Sequence, residues 1–264
     1  MHVSGTTQIA IFIAATGDPL TSCFVDTIDG VVSTRCAAAG ALLGRDHAVL
    51  GRNLQDHALI RLDEGRAVAV VSDGCGEGEG SELGARVAAL VAGRAAAAAR
   101  AAGARLEDLD RTVGAAVLAA LRSVIDAVAG EDRAARATFV AEHLAATLWV
   151  AAVRGREAAV FGWGDGVVRR DERVVVVDQG GRPDYLVRAL ASGDVPAPSE
   201  RWLARDVELL AVATDGWREE DLRALPADAS SLALLRWMRC RQRDGAFLDD
   251  AAVAVLGLAR EVTP

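Results

Sequence analysis

The chain has 264 residues, 52% of them hydrophobic and 25% charged, with a formal net charge of −8. That balance excludes a disordered chain and leaves room for a substantial core, expected here as one domain over residues 1–264. Every basic side chain other than histidine is Arg, an excess shared with Ala and Val that suits a high-GC genome, and no basic stripe offers a nucleic-acid surface.

Taken from the N-terminus, Gln8–Ala15 and Ser22–Ile28 read as strands around the turn Gly17-Asp18-Pro19, with a second turn at Asp29-Gly30. The first run lacks a basic flank, so a buried strand is expected there rather than a signal peptide, and no segment is expected to span a membrane. His57–Leu62 and Arg66–Val71 read as a hairpin, followed by the Gly-rich acidic loop Asp73–Gly80. Ser81 stands at the N-cap position of an Ala-rich helix to about Ala102, and a second helix is expected over Leu106–Val128. A polar linker near Gly130–Arg136 leads to strands at Ala145–Val153, Glu157–Trp163, Gly166–Arg170 and Arg173–Val177. Gln179–Glu200 reads as a loop with a short helix at Tyr185–Leu190. A strand (Asp206–Ala213), two helices (Glu219–Leu225, Ser230–Arg243) and a last strand (Ala251–Leu258) complete the chain.

Regular strand–helix alternation is absent, which argues against Rossmann and barrel folds. The expected fold class is α+β, a four-layer αββα sandwich of two antiparallel sheets flanked by helix pairs. The cysteines at 23, 36, 75 and 240 have no CxxC spacing, so a zinc ribbon or thioredoxin-type site is not expected and a reducing, cytoplasmic setting is. The histidines at 2, 47, 57 and 143 have no zinc spacing either. Gly76, Gly78 and Gly80 imitate a phosphate cradle, but no Lys follows and the acidic loop would repel a nucleotide. The five Trp residues read as packing.

What remains is a series of Asp residues at the mouths of apolar runs: Gln55-Asp56, Ser72-Asp73-Gly74, Gly164-Asp165-Gly166, Thr214-Asp215-Gly216 and Asp249-Asp250. An isolated Asp-Gly is usually a turn. Several carboxylates held at strand ends can instead converge on hard cations, which take oxygen ligands.

In their order, with Gly44-Arg45-Asp46-His47 opening the first motif, these stretches resemble the metal-dependent Ser/Thr protein phosphatases of type 2C, in their bacterial branch. The resemblance covers about residues 44–256. It implies two Mn²⁺ or Mg²⁺ ions, with Asp73 bridging them, the Gly74 carbonyl on one, and Asp215 and Asp249 completing the other. Asp56 would orient the nucleophilic water, making Asp56 and Asp73 the catalytic pair. Gln55, Asp165 and Asp250 would stand behind the ligands. The implied partners are a phosphoserine or phosphothreonine protein and a cognate Ser/Thr kinase, with the enzyme a cytoplasmic, monomeric signalling phosphatase needing neither nucleic acid nor membrane.

The chain departs from the family pattern in three places. The usual phosphate-binding Arg falls at Gly51, leaving Arg52 or His47 as substitutes. Cys75 stands where His or Met usually follows the bridging Asp-Gly, and a neutral thiol is a poor leaving-group acid. His143 occupies the place of an Asp that binds a third metal in many bacterial members. These departures keep a second function open: a catalytically weak regulator of the same fold that binds a phosphoprotein or partner.

Overall fold

The computed structural model describes residues 21–22, 24–27, 34–63, 66–155, 157–226 and 230–258. The expected strand at Gln8–Ala15 lies outside them. One six-stranded sheet runs in the order β1 (Thr21–Ser22), β3 (Thr34–Leu42), β12 (Ala251–Leu258), β11 (Leu209–Ala213), β8 (Gly166–Arg170) and β9 (Arg173–Val177). The other runs β10 (Glu200–Arg205), β7 (Glu157–Trp163), β6 (Leu148–Arg154), β5 (Arg66–Ser72), β4 (His57–Asp63) and β2 (Phe24–Thr27). Among the described residues every strand pairing is antiparallel except β2 with β4, which is parallel.

The two sheets face each other, and their central strands are apolar on both faces because both faces are covered. Along β12, Ala252, Ala254, Leu256 and Leu258 point into the layer between the sheets, while Ala251, Val253 and Val255 meet the outer helices. Along β5, Ala67, Ala69 and Val71 point inward and Val68 and Val70 outward. The period of two gives each strand two half-cores. The helices are α1 (Arg45–Leu50), α2 (Glu82–Ala101), α3 (Leu109–Ala129), α4 (Arg133–Phe139), α5 (Glu219–Arg223) and α6 (Ser231–Arg243). α2 and α3 cover the β5 sheet, and α5 and α6 cover the β12 sheet. This is the expected αββα sandwich.

The alanines of α2 do more than favour helix. Ala85, Ala88, Ala89, Ala92 and Ala96 form its buried face, and at Gly84 a Cβ would come within 2.6 Å of the Leu144 backbone. Small side chains let the helix lie close on the sheet. Ser81 does occupy the N-cap position, but its buried Oγ makes no capping bond; a Cβ on Gly74 would lie 2.6 Å from it, so the hydroxyl is packed against the loop.

Four differences from expectation have local causes. β3 (TRCAAAGAL) has weak strand propensity, and only its position beside β12 makes it a strand. β10 alternates half-buried and exposed residues at a sheet edge, a pattern too polar for the sequence reading to give residues 201–205 an element. The expected polar linker after Gly130 is instead helix α4, capped by Asp132 Oδ1 accepting from the Ala135 amide at 2.8 Å, followed by a π-helical turn over Val140–Leu144. Finally, contrary to the expectation that no segment is long enough, Leu106–Ala129 is long and apolar enough to cross a membrane by length and composition. In the fold its apolar stripe (Leu109, Val113, Val117, Leu121, Ile125) is buried, while Arg111, Arg122 and Asp126 face outward.

Candidate metal centre

Sheet register builds the site. His57 on β4 is paired with Ser72 on β5, so Asp56, just before β4, and Asp73, just after β5, leave the same end of one sheet. Ala213 on β11 is paired with Val253 on β12, which puts Asp215 and Asp249 at one end of the other. With the sheets face to face, the four carboxylates meet at their shared end.

Their electrostatics record the proximity. Asp56 is held well above the ordinary carboxylate range, first by burial and then by the charge of Asp250, with Asp215 adding to it. Burial also raises Asp73, followed by Asp56, Asp215 and Asp249. Asp215 is raised by burial, then by Asp249 and Asp165. Among the described residues Asp56 Oδ1 is buried with no hydrogen-bond donor, and after burial the charge of Asp56 is the largest influence on Asp73. Carboxylates crowded this way disfavour their charged forms unless a cation joins them. An orphaned carboxylate oxygen inside an all-oxygen donor set fits hard divalent ions such as Mn²⁺ or Mg²⁺.

Residues the sequence reading passed over hold this arrangement. Thr214 Oγ1 donates to Asp56 Oδ2 at 2.6 Å and accepts from the Ala252 amide at 2.9 Å, clamping a β4-side carboxylate to the β11–β12 side. Thr147 Oγ1 accepts from the Asp73 amide at 3.1 Å, while its own amide donates to the Asp73 carbonyl at 2.8 Å. Both are the small polar neighbour of a strand-end motif, the one signal that could have marked them. Trp217, buried two residues after Asp215, meets Phe247 edge-on at 4.8 Å. Phe247 has φ +57°, a left-handed conformation strained for a bulky side chain, and this pair joins the Asp215 loop to the Asp249 loop.

Asp250 acts as the clasp. Its Oδ1 accepts from the Gly44 amide and its Oδ2 from the Gln55 amide, both at 2.7 Å. A Cβ on Gly216 would come within 1.8 Å of the Asp250 carbonyl oxygen, so this glycine permits close loop approach. Gln55 is buried, receives the Gly74 amide on its carbonyl and donates Nε2 to Gly78 O at 3.2 Å. Asp165 Oδ1 accepts from the Gln179 amide at 2.7 Å, its carbonyl takes the Trp149 indole N–H at 2.8 Å, and burial raises its pKa.

The substitute cations fall in different places. Arg52 lies in the turn after α1, whose end is capped by Gly51 at φ +67°, and its Nη1 donates to the Gly76 carbonyl of the acidic loop. His47 sits among the acids: Nδ1 is 3.1 Å from Asp250 Oδ2 and Nε2 is 3.5 Å from Asp249 Oδ1. One ligand atom from each of the three lies within 4.8 Å of the others. His47 therefore buttresses the acidic pair and is not displayed as a free phosphate-binding cation. His143 packs on Gly80, meets the Phe139 ring in a tilted contact at 5.0 Å and lies 3.8 Å from Glu142; among the described residues it makes no ionic contact with the four carboxylates. Cys75 is half-buried beside Tyr185, whose hydroxyl pKa is raised first by burial and then by Cys75 and Asp73.

A cluster of strand-end carboxylates stands at the mouth of a two-sheet sandwich. The model of the protein phosphatase 2C family matches residues 43–252. The chain belongs to that family. A comparison with curated proteins finds no match. Among solved structures, the serine/threonine phosphatase Stp1 from Staphylococcus aureus is similar with TM-score 0.62 at 11% identity, over 88% of this chain and 98% of that one. PppA, titled a key regulatory component of T6SS in Pseudomonas aeruginosa, gives 0.56 at 17% identity, over 84% and 96%. The catalytic domain of the serine/threonine phosphatase PstP, in complex with two manganese ions, gives 0.53 at 17% identity, over 85% and 98%. At these identities the likeness is one of fold.

Proposed function

We propose that the chain hydrolyses phosphoserine and phosphothreonine in proteins at a centre of two Mn²⁺ or Mg²⁺ ions. The observation that carries the reading is the convergence of Asp56, Asp73, Asp215 and Asp249, with a donorless buried oxygen on Asp56. Asp73, the Gly74 carbonyl, Asp215 and Asp249 would hold the ions, which supply charge neutralisation for the phosphate and a water acidic enough to ionise near neutral pH. Asp56, fixed through Thr214, would orient a water held at that centre. Asp250, backed by His47, keeps Asp249 and Gln55 in register. Arg52 offers a guanidinium fork beside the loop that follows Asp73, where it can meet two phosphate oxygens. A phosphoprotein, and a kinase that phosphorylates it, are the partners such chemistry needs, and a cytoplasmic monomer is the form proposed.

The test is phosphate release from phosphoserine and phosphothreonine peptides by the purified chain with Mn²⁺, Mg²⁺ or EDTA. Metal-dependent release, lost in Asp73→Asn, supports the reading. Peptide binding without release at any metal concentration would replace it with the phosphoprotein-binding regulator.

A further inference from the structure

The far end of the same sheet carries a second charged feature. β6 runs seven residues from the Asp73 end to Arg154, so that end lies about 20 Å from the carboxylates at the usual rise per residue. There the register aligns Asp63, Arg66, Arg154, Glu157 and Arg205 across β4, β5, β6, β7 and β10. Arg66 and Arg154 are direct cross-strand neighbours, a like-charge juxtaposition that destabilises a sheet unless something offsets it.

Most guanidinium groups in the row have acids. Arg66 Nη2 is 2.8 Å from Asp63, Arg205 Nη2 is 3.0 Å from Glu157, and nearby Arg105 pairs with Glu107. Two do not. Arg100, in the last turn of α2, is only 4% exposed. Its Nη1 donates to the Ala104 carbonyl and its own carbonyl receives Arg66 Nη1, but its Nε has no partner. Among the described residues, neither Arg100 nor Arg154 has a carboxylate within ion-pair distance. Burial depresses the Arg100 pKa, with Arg154 and then Arg66 adding to the effect and Glu157 opposing it.

Arg100 and Arg154 line a half-open cavity of about 420 Å³ together with Arg105 and Arg205 and the ion-paired Glu107 and Glu157, bounded by the segment 103–107 and the end of β10, with Leu106 and Leu203 on its wall. A buried guanidinium without a counter-charge is costly, and a planar fork facing a cavity suits a tetrahedral oxyanion. We propose that this cavity is a second binding site, remote from the metal centre, for a small phosphate-bearing anion held between Arg100 and Arg154. Its volume falls in the range of small-molecule sites, and the apolar wall leaves room for the organic part of a phosphomonoester.

The probes are inorganic phosphate and O-phosphoserine, titrated calorimetrically into the purified chain in EDTA, where the acidic centre repels anions. Saturable binding of both at one site is expected. Arg154 is exposed, so Arg154→Ala should fold normally and keep the wild-type metal-dependent turnover, yet bind both probes at least about tenfold more weakly. Arg154→Lys should recover part of the affinity. No saturable binding by the wild-type chain, or affinity in Arg154→Ala within about twofold of wild type, would overturn the proposal. This outcome is independent of whether the metal centre is active.

Discussion

Thr214→Val deletes one hydroxyl and keeps the shape of the side chain, which makes it a sharp probe of how Asp56 is held. The bond from Thr214 Oγ1 to Asp56 Oδ2 is 2.6 Å long and fully buried, and the same oxygen receives the Ala252 amide at 2.9 Å. A buried hydrogen bond contributes about 0.5–1.5 kcal/mol, and leaving the buried amide without a partner costs about 1–3 kcal/mol. The sum, about 3 kcal/mol, should lower the melting temperature by roughly 6–12 °C in a chain of this size. In the Mn²⁺-loaded enzyme, loss of the fixed Asp56 orientation should reduce kcat by about 10–100-fold, since each 1.4 kcal/mol of barrier is about tenfold in rate. Thr214→Ser keeps the hydroxyl and should recover most of both losses. Thermal denaturation in EDTA and phosphopeptide turnover in Mn²⁺ read the two effects separately. A Thr214→Val protein with wild-type melting and wild-type kcat would refute the claim that Thr214 positions the carboxylate.

Arg52→Ala should raise KM for phosphopeptides far more than it lowers kcat, the pattern of lost uniform binding; an unchanged KM would mean that Arg52 only tethers the Gly76 loop. Burial, then the charge of Arg86, lowers the His57 pKa from 6.5 to about 4. The unfolded chain therefore takes up that proton first, and His57 costs the fold about 3 kcal/mol as pH falls from about 6.5 to about 4, a penalty absent above that window. The raised carboxylates run the opposite way, costing stability as pH rises, so the measurement is the difference in urea stability between wild type and His57→Leu across that window; parallel curves would contradict it. Alkylation of Cys75 should slow turnover by displacing Tyr185 beside Asp73, and Cys75→Ser should abolish the sensitivity. Unaltered turnover after complete modification of Cys75 would dispose of that idea.

Much of the architecture was legible because double-sided strands such as Ala251–Leu258 are uninterrupted apolar runs, and their ends coincide with the Asp motifs. β3 was not, because its alanines become strand only when β12 supplies a partner. The Asp positions could be read as a set, since motif order survives in one dimension. What could not be read was who holds whom. That Asp250 takes the amides of Gly44 and Gln55 follows from loops far apart in sequence meeting at Gly44, where a Cβ would lie 2.2 Å from the Asp249 backbone, a tertiary fact with no local signature. The fate of the cations was equally hidden. His47 and Arg52 are five residues apart, yet α1 turns one toward the acids and the Gly51 cap sends the other to the Gly76 carbonyl.

The central claim, that the converging carboxylates form a two-ion centre, is tested most directly by anomalous diffraction from crystals grown with Mn²⁺. Two peaks about 3.5–4 Å apart, both within bonding distance of Asp73 and one also of Asp215 and Asp249, are predicted, with both lost in Asp73→Asn crystals. Crystals that show no Mn²⁺ at Asp73, Asp215 and Asp249 at saturating metal would contradict the account.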